Sequence, residues 1–506
     1  MSARPSTSHE PVDLLVIGGG INGTGIARDA AGRGLSVLLV EQDDLAGHTS
    51  SASTKLIHGG LRYLEYGEFR LVRESLIERE RLLGLAPHII WPLEFVLPQR
   101  HSPRPAWMVR LGLFLYDHLG GRKRLPATQT IRRLDRDPRG RGLKPGADKA
   151  FVYSDCWVQD SRLVALNALD AAERGATILT RTRLVETQRS AEGWTATIED
   201  AHGRREVRAR ILINAAGPWV ADVLARMPGA RRDRGVRLVK GSHIVVPRLY
   251  EGDHAFLLQN PDKRVVFAIP YEGRFTLIGT TDELWQGPPG KPVIDEAEKR
   301  YLCETAERYF ATPVTPASVV WSYSGIRPLY DDHATNASAV TRDYVLDVDA
   351  GEDRAPMLSI FGGKITTYRK LAEHALAELA PFLPSAHPAW TMRAPLPGGD
   401  IPDGDFERFV ARLQAERPGL LPALLHRLAR AYGTRVPELL GEAMNPADLG
   451  RCFGGDLHQR EIDYLVEREW ARSAEDILYR RSKLGLHLPP EASALIDTYL
   501  ATIATA

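Results

Sequence analysis

Residues 13–41, DLLVIGGGINGTGIARDAAGRGLSVLLVE, constrain the fold more than any other stretch. Residues 13–17 are a short apolar run that reads as a buried strand, and residues 23–33 carry small side chains at helical spacing. Residues 37–40 are a second buried run, closed by Glu41, 23 residues after Gly18. Between the first strand and the helix stands Gly18-x-Gly20-x-x-Gly23, which also contains Asn22. In such a unit the first glycine permits the tight turn and the second lets backbone approach a pyrophosphate. The third allows close packing, and the helix N-terminus supplies N–H donors and a favourable dipole. A carboxylate at Glu41 can then accept both ribose hydroxyls of an adenosine. Strand, glycine turn, helix, second strand and acid all occur in order, so a dinucleotide site on a parallel sheet is expected.

That unit alone leaves NAD and FAD open. An NAD domain continues with repeated strand–helix–strand units, whereas here the acid is followed by the Ser/Thr-rich loop HTSSASTK, residues 48–55. Two later stretches also put bare backbone at predicted strand ends, where ligands bind in open α/β sheets. ILINAAGPWV brings Ala216 and Gly217; SIFGGKITTYRKLAEHA brings Gly363, Lys364, Thr366 and Thr367. A long, bent cofactor touching three separated segments suits FAD better.

A chain of 506 residues exceeds one core and divides into two or three domains. Between about 236 and 281 the pattern turns to strands, with Glu272-Gly273 closing a hairpin. The expected class is therefore α/β: a discontinuous FAD-binding Rossmann-like domain of the glutathione-reductase/amino-acid-oxidase type, a β-rich substrate domain and a C-terminal all-helical cap. The boundaries read as a disordered tail at 1–10, the FAD-binding domain at 11–100, 150–225 and 325–380, and the substrate domain at 101–149 and 226–324. A Pro/Gly-rich linker follows at 381–405, then the helical domain at 406–506. Net charge is +1, so no global field draws the chain to nucleic acid. Three dispersed cysteines, Cys156, Cys303 and Cys452, provide no disulfide framework or metal-binding pair and fit a reducing, cytoplasmic setting.

The loop motifs together resemble the aerobic, quinone-linked type of FAD-dependent glycerol-3-phosphate dehydrogenase. The resemblance runs through TSSASTKLIHGGLRYLEYGEFRLVRES, YSDCWVQDSRLV, KGSHIVVPR, IGTTD, YSGIRPLYDD, TRDY and FGGKITTYRKLAEHAL, and covers nearly the whole chain. It implies oxidation of sn-glycerol 3-phosphate to dihydroxyacetone phosphate, with hydride passing to the flavin and electrons on to a membrane quinone. A phosphate dianion needs several cations. By resemblance Arg62, Arg327 and Lys364, with Tyr63, line the substrate pocket, and Arg342 is a weaker candidate. His243 is the expected base for the C2 hydroxyl, and the alternative role for Arg327 is to orient that hydroxyl or stabilise an alkoxide there. Ser50, Ser51, Ser53, Thr54 and Lys55 are expected to cradle the pyrophosphate and ribityl chain, and His58, Gly59 and Gly60 to pass close to the flavin ring.

The resemblance also implies a homodimer with contacts from the helical cap, on the cytoplasmic face of the inner membrane. Residues 103–124, PRPAWMVRLGLFLYDHLGGRKR, have the composition of an interfacial anchor, and equally that of a core helix with basic ends. Three other readings stay open. One is a glycerol-3-phosphate oxidase using oxygen. Another is an amine or amino-acid oxidase, which needs no lysine-plus-arginine phosphate pocket. The third is a non-catalytic flavin-binding module.

Overall fold

The computed structural model describes residues 10–121, 123–146, 148–231, 233–331 and 343–504. Residues 1–9 of the expected tail, and Arg342, lie outside the described residues.

Two large sheets and a helical domain make up the chain. The first sheet has eight strands, and its centre is the unit met first in the sequence. Val12–Ile17 pairs in parallel with Val37–Val40 on one side and with Gly203–Asn214 on the other. Arg354–Phe361 pairs in parallel with Gly203–Asn214, so three strands end at the same edge. Val12–Ile17 and Val37–Val40 read as continuous apolar runs because helices cover the sheet: Ile21–Gly32 packs between Asp160–Glu173 and Tyr368–Glu378. Ala27, Ala30 and Ala31 are buried in that contact, where larger side chains would hold the helices apart.

The second sheet has ten strands, and Val236–Pro247 pairs antiparallel with both Phe275–Gly279 and Trp321–Tyr330. Glu272 and Gly273, both at positive φ, form the hairpin turn between Val265–Tyr271 and Phe275–Gly279. This sheet crosses the expected domain boundaries. Ile90–Pro98 and Ala150–Val158, read as part of the FAD-binding domain, pair with each other and belong to the second sheet. So does Trp321–Tyr330, which spans the expected boundary at 325. Buried strands of either sheet are equally apolar, so the run itself does not say which sheet takes it.

From Phe406 onward the chain is mainly helical around its own core, with a two-stranded hairpin at Cys452–Gly454 and Leu457–His458. Ala106–Leu119 buries Val109, Leu113 and Tyr116. Its other apolar side chains point outward, with Trp107 67% exposed and Leu111 52%. A core helix would hide them. No helix among the described residues is long and apolar enough to cross a membrane.

Candidate active site

The three parallel strand ends supply the floor of a cavity. Gly18 leaves its strand at φ +111°, and a Cβ there would stand 2.5 Å from the carbonyl oxygen of Ala215 in the neighbouring turn. Only a bare residue lets these two turns lie side by side. A Cβ on Gly23 would stand 1.9 Å from the Gly18 carbonyl oxygen, so that glycine serves the close packing of turn on helix. Glu41 accepts from the Gly19 amide at 2.6 Å and the Asp43 amide at 2.8 Å, and burial pushes its carboxyl pKa up. Each oxygen retains acceptor capacity for a further hydroxyl. The Ile21 amide, at the helix start, donates to Ser50 Oγ at 3.0 Å. Asn22 Nδ2 donates to the Gly362 carbonyl at 3.2 Å, and its Oδ1 is a buried acceptor without a protein partner. Gly18, Gly20, Asn22, Glu41, Ser50, Ala216, Gly217 and Gly363 all line this cavity.

A second cavity shares Ile21, Ser50 and Gly363 with the first and continues past the 48–60 loop. Ser53, Thr54, His58, Tyr63, His243, Arg327, Lys364 and Thr366 line it. His243 sits on Val236–Pro247 opposite Gly279, where any side chain would collide with the imidazole. Its Nε2 lies 3.0 Å from Thr54 Oγ1, and its ring stacks on Tyr323 at 4.7 Å. Burial, then the nearby charges of Lys55 and Arg327, push the His243 pKa well below the usual histidine value. Arg327 is held by the Asp282 carboxylate at 2.5 Å and the Thr281 carbonyl at 3.0 Å. Lys364 Nζ stands 4.0 Å from the centroid of the Tyr63 ring. The Thr366 hydroxyl accepts from the His58 amide at 3.2 Å. Beyond Arg327 the space runs into a third, more apolar cavity bounded by Gly60, Arg62, Asp282, Met108, Leu111 and Leu115.

Four residues expected at the cofactor have other surroundings in the structure. Lys55 is buried, and its ammonium is spent on both oxygens of Asp160, at 3.0 and 2.9 Å, and on the Ser51 carbonyl. A lysine satisfied in this way is structural. Ser51 faces a separate cavity on the far side of the 49–52 turn, its hydroxyl donating to the His48 carbonyl. Gly59 is packed against Leu76 and donates to the Tyr116 hydroxyl. Thr367 is buried at the start of Tyr368–Glu378 and lines none of the three cavities. Ser53 borders its cavity but gives its hydroxyl to Asp160 at 2.7 Å.

Residues 13–369 match the family described as FAD dependent oxidoreductase, and residues 389–506 match the C-terminal domain of alpha-glycerophosphate oxidase. The chain belongs to the FAD-dependent oxidoreductases. Within that family it is 55% identical to the D-erythritol 1-phosphate dehydrogenase of Brucella abortus, over 97% of this chain and 98% of that one. It is 54% identical to a glycerol-3-phosphate dehydrogenase of Pseudomonas aeruginosa, over 97% and 95%. With the aerobic glycerol-3-phosphate dehydrogenase of Escherichia coli it shares 48%, over 97% of each. The glycerol-3-phosphate dehydrogenase of Bacillus halodurans, solved in complex with FAD, superposes with a TM-score of 0.74 at 26% identity, covering 98% of this chain and 95% of that one.

The residues present fit FAD. The bare turn at Gly18, the helix N-terminus at Ile21, the buried carboxylate of Glu41 and the unpartnered Asn22 Oδ1 are what a dinucleotide diphosphate and its ribose require. FAD is the family's cofactor, and the two adjoining cavities, which share Ile21, Ser50 and Gly363, would hold it. Sequence reasoning passed over Asp160, which fixes Lys55 and Ser53, and Asp282, which fixes Arg327. Both stand in stretches singled out for other reasons, YSDCWVQDSRLV and IGTTD, but their partners lie 105 and 45 residues away.

Proposed function

We propose that this flavoenzyme oxidises sn-glycerol 3-phosphate to dihydroxyacetone phosphate and passes the electrons to a membrane quinone. The observation that carries the reading is the gathering of Tyr63, His243, Arg327 and Lys364 around one cavity contiguous with the dinucleotide cavity, with Arg62 just beyond. Arg62, Arg327 and Lys364 offer the cationic donors a phosphate dianion needs. Asp282 fixes the Arg327 guanidinium, so its orientation is set before substrate arrives. His243, neutral at physiological pH, accepts the proton of the C2 hydroxyl at its ring nitrogen. Bound FAD supplies the two-electron acceptor for the hydrogen that leaves C2. The flavin-side walls are those of the second cavity, which include Thr54 and His58 and share Ser50 and Gly363 with the first.

The quinone reading is supported by the exposed apolar face of Ala106–Leu119, whose Met108, Leu111 and Leu115 border the cavity that also holds Arg62 and Arg327. An anchored helix there would set the chain on the cytoplasmic face of the inner membrane with that cavity towards the lipid. We also carry the homodimer forward as a proposal, tested by light scattering of the purified protein.

A four-carbon polyol phosphate is the second reading, favoured by the 55% identity to an enzyme named for one and by the continuity of the pocket past Arg327. Anaerobic bleaching of the flavin absorbance tests both. Faster bleaching by sn-glycerol 3-phosphate than by D-erythritol 1-phosphate supports the first reading, the reverse supports the second, and bleaching by unphosphorylated glycerol removes the phosphate assignment. Hydrogen peroxide formed in place of reduced quinone would make the chain an oxidase.

A further inference from the structure

We propose that the C-terminal domain sets the cofactor affinity of this flavoenzyme by gripping the adenosine loop through Asp44. That loop runs from Glu41, the ribose-facing carboxylate, to Gly47, and has no regular secondary structure. Glu41 is tied to the strand beside it, its N–H donating to the Leu179 carbonyl and its carbonyl accepting from the Thr182 N–H; beyond it the backbone ties are Arg181 N–H to the Asp43 carbonyl, Ala46 N–H to the Gly19 carbonyl and Gly47 N–H to that of Asp44. Glu41 itself is fixed by Leu179, Thr182 and Gly19, but Gln42, Ala46 and Gly47 wall the same dinucleotide cavity, and their course depends on what holds residues 42–47 from outside.

What holds them comes from the other end of the chain. Asp44 is buried, and its carboxylate receives Arg480 Nε at 2.6 Å and both Nη atoms of Arg481, at 2.7 and 2.8 Å. Those arginines stand together in the turn Asp476–Ser482. Arg181, whose amide donates to the Asp43 carbonyl at 2.8 Å, reaches Asp476 in the same turn at 2.5 Å. The next loop is tied to it as well. Ser161 donates to the Arg480 carbonyl at 2.6 Å, and the adjacent Asp160 holds Lys55 and Ser53. One turn of the C-terminal domain thus holds the 42–47 loop directly and the loop carrying Ser53 and Lys55 through Ser161 and Asp160.

Neither Asp44 nor Arg481 lines that cavity, so their influence on FAD can act only through loop position. The contacts are buried, charge-assisted and, for Arg481, bidentate, the combination that fixes geometry most firmly. Removing one partner leaves the other as a buried charge with too little compensation, and the loop must shift to relieve it. Asp44, Arg480 and Arg481 are positioning residues: they hold in place the loop that follows Glu41 and walls the same cavity through Gln42, Ala46 and Gly47.

The test uses the full chain, stripped of flavin and titrated with FAD while quenching of the flavin fluorescence is followed. Asp44→Asn is nearly isosteric, and Arg481→Met keeps the length of the side chain. Arg427→Met is the comparison: Arg427 pairs with Asp456 and Glu461 inside the C-terminal domain and does not reach the loop. We expect the Kd for FAD to rise about tenfold or more in Asp44→Asn and Arg481→Met, as outer-shell changes do at ligand sites, and to stay at the parent value in Arg427→Met. Should Arg481→Met fail to fold, Asp44→Asn decides alone. Parent affinity in Asp44→Asn overturns the proposal, and so does equal weakening by Arg427→Met, which would make the effect one of general stability.

Discussion

Thr54 Oγ1 lies 3.0 Å from Nε2 of His243, joining the loop that borders the dinucleotide cavity to the residue proposed as base. The hydroxyl fixes which way the imidazole faces, and the Tyr323 ring stacked beneath it fixes the plane. Replacing His243 by Ala is expected to slow anaerobic flavin reduction by about 10²–10⁴-fold, the usual contribution of a positioned base. Thr54→Val should cost less, about tenfold, since one hydrogen bond is lost. The sign of the pH effect follows from burial, which holds the His243 pKa well below its ordinary value. The imidazole is neutral above that pKa and able to accept a proton. The rate should therefore be level from pH 6.5 upward and fall only in more acidic solution; a limb centred on pH 6.5 or higher in stopped-flow traces would sink the assignment.

Arg327 is braced by Asp282 and the Thr281 carbonyl, which aims a planar fork rather than a mobile point charge. Arg327→Ala is expected to lower kcat/KM for the phosphoester by about 10²-fold. Arg327→Lys should recover little, because a lysine cannot reproduce the bidentate geometry. Asp282→Asn should raise the substrate concentration needed for half-maximal bleaching and leave flavin content unchanged. Loss of bound flavin in Asp282→Asn would place that residue in the cofactor site instead.

A methyl group at position 18 would meet the Ala215 carbonyl oxygen at 2.5 Å on a backbone at φ +111°, which disfavours any side chain. Gly18→Ala should therefore yield protein without visible flavin absorbance, since the two turns can separate only by spoiling the dinucleotide floor. A yellow, fully loaded Gly18→Ala protein would contradict this account of the turn.

Lys483 is buried against the end of the Asp476–Ser482 turn, and burial, with the charge of Lys55, lowers its pKa to about 7. In the unfolded chain the same group titrates near 10.4. Between these values the unfolded state binds the proton and the folded state does not, so stability rises with pH across that interval. Lys483→Met should raise Tm at pH 6, where the buried ammonium is charged, and the gain should shrink steadily towards pH 10. Thermal unfolding at several pH values measures it, and a Tm gain independent of pH would show that the charge is not the cause.

Trp107 and Phe114 stand out from Ala106–Leu119 into solvent. Converting both to Ser should abolish flotation with acidic liposomes and leave flavin reduction by substrate unchanged, because neither lines the cavities that hold His243, Arg62 and Arg327. A parent protein that stays wholly unbound would remove the anchor.

The dinucleotide unit was legible in the sequence because its information is local: strand, turn, helix and acid are read within 29 residues, and glycine is the residue each backbone position demands. The two strand-end turns at 215–217 and 362–363 were legible for the same reason. Tertiary structure alone decided which sheet takes each buried strand, since Ile90–Pro98 and Val37–Val40 are both largely apolar and carry no mark of which sheet they join. It alone paired Lys55 with Asp160, because a lysine in a Ser/Thr-rich loop reads the same whether its ammonium faces an anionic ligand or a carboxylate 105 residues further on. The grip of Arg480 and Arg481 on Asp44 was equally invisible. Charge partners separated by more than 430 residues are matched by folding, where burial turns an ordinary Asp and two ordinary Arg into one rigid contact.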